Sequence, residues 1–189
     1  MILLLDLCYR KNSLSRDEFV LPIARIVHRT GNSLIIRHYV ELTQADRVKA
    51  ERIILCGTSL KDNDFMNQLR NLHWLSVEKT PCLGICAGMQ VLGAIGGGEI
   101  RENCEIGMTD IQVVRPDPLL DEMKEFSAYE LHSYSLCPSD SYQVLATSIQ
   151  SPQVIRHRSL PHYGVLFHPE VRNGWVVERF LHLPLEGMV

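Results

Sequence analysis

Apolar residues come in short blocks along this chain, and the spacing inside each block predicts the element it forms. Residues 1–6 are apolar without a break up to Asp6, as expected of a strand buried on both faces of a sheet. A polar loop over residues 10–17 leads to Ser15 and, three positions on, Glu18, which match a capping box. Phe19, Val20, Ile23, Ile26 and Val27 then recur at helical spacing, with Pro22 early enough in the helix to be tolerated. Residues 34–36 and 52–56 read as the second and third strands, separated by a polar, helix-permissive linker over 43–51. The third strand ends abruptly at Gly57-Thr58-Ser59, and Phe65, Leu69 and Leu72 mark a helix over 62–72. Residues 81–85 form a further apolar run that turns directly into a helix-compatible stretch over 89–95.

Strands alternating with helices predict βαβ units and a parallel sheet, with ligands at the carboxyl ends of the strands. After Gly96-Gly97-Gly98 the pattern changes. Residues 110–114, 128–132, 142–146 and 153–157 are short, alternating and bounded by turn-formers, which predicts an antiparallel extension of the sheet. A last buried strand over 163–167 runs into His168-Pro169-Glu170, a closing helix spans 174–183, and the tail after Pro184 is expected to fray.

Composition narrows the class without changing this outline. The 189 residues suit one domain, and 46% hydrophobic with 22% charged content is ordinary for a globular protein. No apolar run approaches the roughly 20 residues of a membrane span, and residues 1–6 lack the basic leader and cleavage site of a signal peptide. A net charge of −3 with scattered lysines and arginines gives no footprint for nucleic acid. The six cysteines (8, 56, 82, 86, 104 and 137) form no disulfide framework, which points to a reducing cytoplasm. Cys82 and Cys86 lie four apart with no second ligand pair, so no metal site is expected.

The chemistry concentrates at Gly84-Ile85-Cys86-Ala87-Gly88. A cysteine at a sharp strand-to-helix turn, with glycines clearing the backbone on both sides, is the grammar of a nucleophile elbow. The helix N-terminus there favours a thiolate and a developing oxyanion. A thiol also needs a base and a group that orients the base. Of the eight histidines, His168 stands apart, because it follows an apolar strand and has Glu170 two residues on across a proline. The other histidines, His132 among them as a loop contact, have structural explanations. Backbone N–H groups of Ala87 and of Gly57 or Thr58 are the expected oxyanion donors.

Gly84-Ile85-Cys86-Ala87-Gly88-Met89-Gln90, followed by Gly164-Val165-Leu166-Phe167-His168-Pro169-Glu170, resembles the class I (triad) glutamine amidotransferases. The likeness extends over nearly the whole chain. It implies a three-layer, flavodoxin-like α/β fold with a mostly parallel central sheet and an antiparallel extension, in a single glutaminase domain over residues 1–189. It also implies that the side-chain amide of L-glutamine is hydrolysed through a γ-glutamyl thioester on Cys86. His168 would act as base and then acid, with Glu170 orienting it, and Gln90 and the backbone of Ser133 and Tyr134 would bind the substrate. No cofactor is implied. The chain has no room for a synthase, so ammonia would pass to a separate synthase subunit, and the layout is most similar to glutaminase subunits of two-subunit GMP synthases. Two segments depart from the family pattern. Cys56-Gly57-Thr58-Ser59 stands where Ser-Gly-Gly-Pro is usual, and Asp6-Leu7-Cys8-Tyr9-Arg10 replaces an Asp-Asn segment. Two other readings fit the same motifs: a stand-alone γ-glutamyl hydrolase, and a non-catalytic regulatory module.

Overall fold

The computed structural model describes residues 1–184; the tail expected to fray lies outside the described residues. One nine-stranded sheet organises the chain. Strands β1 (Ile2–Asp6), β2 (Leu34–His38), β3 (Arg52–Leu55) and β4 (Cys82–Ile85) precede the long β5 (Glu99–Val113) and β6 (Glu125–Cys137). Then come β7 (Tyr142–Thr147), β8 (Pro152–His157) and β9 (His162–Val165). Their spatial order is β2-β1-β3-β4-β9-β8-β7-β5-β6. The first five in that order are mutually parallel, and every pairing from β9 outward is antiparallel. The parallel block with an antiparallel extension is the fold expected from the sequence.

Helices α1 (Leu21–Arg29), α2 (Gln44–Val48), α3 (Leu69–Leu72), α4 (Ala87–Ile95) and α5 (Trp175–His182) complete the fold. Two apolar cores form, one on each face of the sheet. Ile23 and Val27 of α1 meet Val176 and Phe180 of α5 over one face. Leu72 of α3 and Val91 and Leu92 of α4 cover the other. β1, β3, β4 and β9 are buried along their whole length, which explains their unbroken apolar runs.

Several local expectations are corrected. Ser15 makes no capping bond; the chain is already helical there and runs through a π-helical turn, Arg16–Val20, before α1. Pro22 has no N–H to give to the carbonyl four residues back, so the regular helix restarts with it in the first turn. The polar linker after β2 holds α2, whose Thr43 and Asp46 form the capping box that Ser15 does not. The helix expected over 62–72 is broken into short 3-10 and α segments that reach Val77. The largest difference is β5, which starts at Glu99 rather than near residue 110. Residues 131–134 are consequently strand, not loop.

Candidate active site

The elbow between β4 and α4 holds Cys86 at φ 48° and ψ −103°, in left-handed territory where a side chain is strained. Its N–H donates to the Val165 carbonyl at 2.8 Å, and its own carbonyl accepts from Gln90 N at 3.0 Å. The flanking glycines are required by contact distance. A Cβ on Gly88 would lie 2.3 Å from the Leu55 carbonyl oxygen, and one on Gly84 would lie 2.4 Å from the backbone of Gly88. The thiol therefore stands at the carboxyl end of the parallel sheet and at the N-terminus of α4, whose dipole favours negative charge there.

His168 follows β9 and is fully buried. Its Nδ1 lies 2.7 Å from Glu170 Oε1, while its Nε2 has no hydrogen-bond partner among the described residues. Phe19 packs against the ring at 5.2 Å between centroids. Burial pushes the imidazolium down, but the charges of Cys86 and Glu170 outweigh it and hold His168 well above the ordinary histidine range. Gly57 lets this happen: a Cβ there would sit 2.9 Å from His168 Cε1 and 3.5 Å from Cys86 Cβ. The thiol and the imidazole thus pack round one glycine.

Thr58, Cys86, Ala87, Gln90, Ser133 and Tyr134 all line one chamber, of only about 10 Å³. That is room for about one water, so the chamber must widen to admit an amino acid. Gln90 Nε2 donates to the Tyr134 carbonyl at 2.9 Å, tying α4 to β6. The Leu131 carbonyl lies 3.9 Å from Cys86 Sγ. The N–H groups of Gly57, Thr58 and Ala87 find no acceptor among the described residues and are free to bind an anionic oxygen. Thr58 Oγ1 donates to the Asp62 carbonyl at 3.0 Å, and Asp62 Oδ2 accepts from Tyr9 N, which anchors the turn in place of the usual second glycine and proline.

The structure brings Cys86, His168, Glu170, Gln90, Ser133 and Tyr134 to one end of the sheet, and it adds three neighbours that the motifs do not reveal. Phe19 carries no polar signal and reads as core. Glu105 and Glu130 join His132 in a buried group, side by side with the Cys86 chamber. The one signal for them in the sequence is Ala128, Glu130 and His132 at spacing two, which puts two polar residues on the apolar face of a strand. No group of three or more histidine, cysteine or acidic residues among the described residues has the geometry to hold a metal ion. All six cysteines are free, and no helix among the described residues is long and apolar enough to cross a membrane.

Comparison with known proteins supplies the family. Residues 16–181 match the family model for glutamine amidotransferase class-I. The chain is 32% identical to anthranilate synthase component 2 of Saccharolobus solfataricus, over 82% of this chain and 86% of that protein. It is 30% identical to a glutamine-hydrolysing GMP synthase subunit of Ignicoccus hospitalis, over 80% and 82% respectively. Among solved structures, a Thermoplasma acidophilum protein described as one subunit of a GMP synthase superimposes with a TM-score of 0.81 at 19% identity, covering 96% of this chain and 93% of that one. A Thermotoga maritima glutamine amidotransferase gives 0.72 at 16% identity, covering 96% and 80%. At those identities the structures speak for the fold.

Proposed function

Because the chain belongs to the class-I glutamine amidotransferase family, we propose that it is a glutaminase subunit that hydrolyses L-glutamine and passes ammonia to a synthase carried on a separate chain. The observation that carries this is a strained cysteine at a helix N-terminus packed round Gly57 against a buried His168–Glu170 pair. In this reading residues 1–189 act as one glutaminase domain, in the cytoplasm, where six free cysteines persist.

The chemistry follows from the positions. Cys86 attacks the δ-carbon of glutamine as a thiolate, with His168 as the imidazolium partner that Glu170 holds through Nδ1. Negative charge builds on the amide oxygen, which the N–H groups of Ala87 and of Gly57 or Thr58 receive. His168 gives its proton to the departing nitrogen, ammonia leaves, and a γ-glutamyl thioester remains on Cys86. Water, deprotonated by His168, then attacks the thioester, so that glutamate and the thiolate are released and the imidazolium is restored. Protein groups supply each role and no cofactor is needed. Gln90 and the Ser133–Tyr134 backbone line the chamber and are the proposed substrate contacts.

The proposed acceptor is the ATP-dependent subunit of a two-subunit GMP synthase. Several relatives and the Thermoplasma neighbour bear the name of the other, glutamine-hydrolysing half of that enzyme, although one relative of equal similarity is an anthranilate synthase component. The test is ammonia and glutamate release from glutamine by the purified chain, alone and with each candidate synthase subunit. Cys86→Ala and His168→Asn are expected to reduce turnover by about a thousandfold or more. Hydrolysis that survives Cys86→Ala would overturn the mechanism, and stimulation only by an anthranilate synthase partner would reassign the acceptor.

A further inference from the structure

Beside the Cys86 chamber, but outside the proposed machinery, β5 and β6 enclose two carboxylates against one imidazole. Strand alternation points Glu130 and His132 inward, and a bulge between Glu102 and Glu105 re-aims Glu105 directly opposite His132. Glu105 and Glu130 are 4% and 0% exposed. Their Oε2 atoms lie 3.4 Å and 3.2 Å from His132 Nε2.

The hydrogen-bond partners settle where the protons sit. Glu105 accepts from Ser148 Oγ at 2.9 Å, Ser151 Oγ at 2.6 Å and Gln153 Nε2 at 3.2 Å, so it is satisfied as a carboxylate. His132 Nδ1 lies 3.1 Å from the Asn103 carbonyl, which can only accept, so Nδ1 carries a hydrogen. Glu130 is different: neither of its oxygens has a hydrogen-bond partner among the described residues. An ionised carboxylate left there without donors costs several kcal/mol, whereas the neutral acid costs far less and has a proton of its own to share. The groups that face it are His132 on its own strand, Glu105 on β5, and His168 beyond β9. Burial, the largest influence, pushes the Glu130 carboxyl up; His132 and His168 pull it down and Glu105 adds to the rise.

We propose that Glu130 is a positioning residue for glutamine: its protonated carboxyl, wedged between His132 and Glu105, sets residues 131–134 of β6 against Cys86 and Gln90. The position matters because that segment supplies the Leu131 carbonyl beside Sγ and the Tyr134 carbonyl bonded to Gln90. Loss of the proton places a second negative charge against Glu105 and forces β6 to shift. Glutamine binding weakens, while the bond-making steps at Cys86 and His168 keep their own pH dependence. The proposal rests on the glutaminase reading, so its test has one arm that needs no glutamine.

Glu130→Gln keeps the size and fixes the group neutral. In the first arm, melting temperature is followed from pH 5 to pH 8. A folded-state carboxyl raised above its unfolded value stabilises fully below the unfolded value and loses that contribution as pH rises through the folded one. Wild type is therefore expected to lose ground against Glu130→Gln as pH rises. In the second arm, the KM for glutamine of wild type rises by about threefold or more over the alkaline part of that range, and this rise is absent from Glu130→Gln, while kcat keeps the same pH profile in both. Parallel melting curves overturn the buried proton, and a KM rise that persists in Glu130→Gln overturns the positioning role. Should Glu130→Gln not fold, a wild-type KM that stays flat across the range overturns the proposal by itself. If neither protein hydrolyses glutamine with any synthase subunit, the glutaminase reading fails and takes the positioning role with it, while the melting curves still decide whether Glu130 is neutral.

Discussion

Gly57 sets how closely His168 can approach Cys86. Adding one methyl there would place it 2.9 Å from His168 Cε1, so the ring must retreat from the thiol. Gly57→Ala is expected to lower kcat/KM by about 10- to 100-fold, read in a glutaminase assay, because small displacements of a reacting group carry costs of that order. Glu170→Gln removes the negative partner of His168 Nδ1 at 2.7 Å and should reduce kcat by roughly a hundredfold with little change in KM. At this scale the sequence is most readable where chemistry requires a residue type: a cysteine between glycines, a histidine before Pro-Glu. It is least readable where a residue acts by packing. Phe19 against His168 looks like any core aromatic, and Glu130 can be recognised only once β5 is known to bring Glu105 across from His132.

The β4–α4 elbow is the element on which the site depends, and its geometry is held by backbone-to-backbone contact. Gly88→Ala would drive a Cβ to 2.3 Å from the Leu55 carbonyl oxygen, an atom that belongs to β3 and cannot swing away. A loss of about 3 kcal/mol or more of stability is expected, checked by chemical denaturation, together with displacement of Cys86. The parallel strands are legible because burial on both faces demands unbroken apolar runs. The first half of β5 is not, because residues 99–105 lie mostly exposed and the bulge breaks the alternation that marks a strand. What makes it a strand is its partner β6, a tertiary cause that local pattern does not contain. The π-helical turn before α1 has a local cause, the missing N–H of Pro22, but its form is set only when Phe19 and Val20 are buried.

For the whole molecule, the pH dependence of stability contains a second, oppositely signed contribution away from the Cys86 chamber. His162 is buried with Nε2 2.9 Å from the Glu78 carbonyl, and burial pushes its imidazolium down to about 4. A histidine lowered in the folded state binds its proton more readily when unfolded, so its contribution is present above about 6.5 and is lost as pH falls toward 4. Acidification across that window is expected to cost up to about 3 kcal/mol, measured by denaturation at each pH, and His162→Gln should flatten the curve. The central claim concerns the assembled site, in which β4, α4 and the segment after β9 make Cys86 a nucleophile for a γ-glutamyl group. It is tested most directly by treating the chain, alone and with its GMP synthase partner, with a glutamine-like chloroketone and locating the adduct by mass spectrometry. A single adduct on Cys86, suppressed by excess glutamine and lost in His168→Asn, is the predicted result; no modification of Cys86 under either condition, or indifferent labelling of the exposed Cys104 and Cys137, would contradict it.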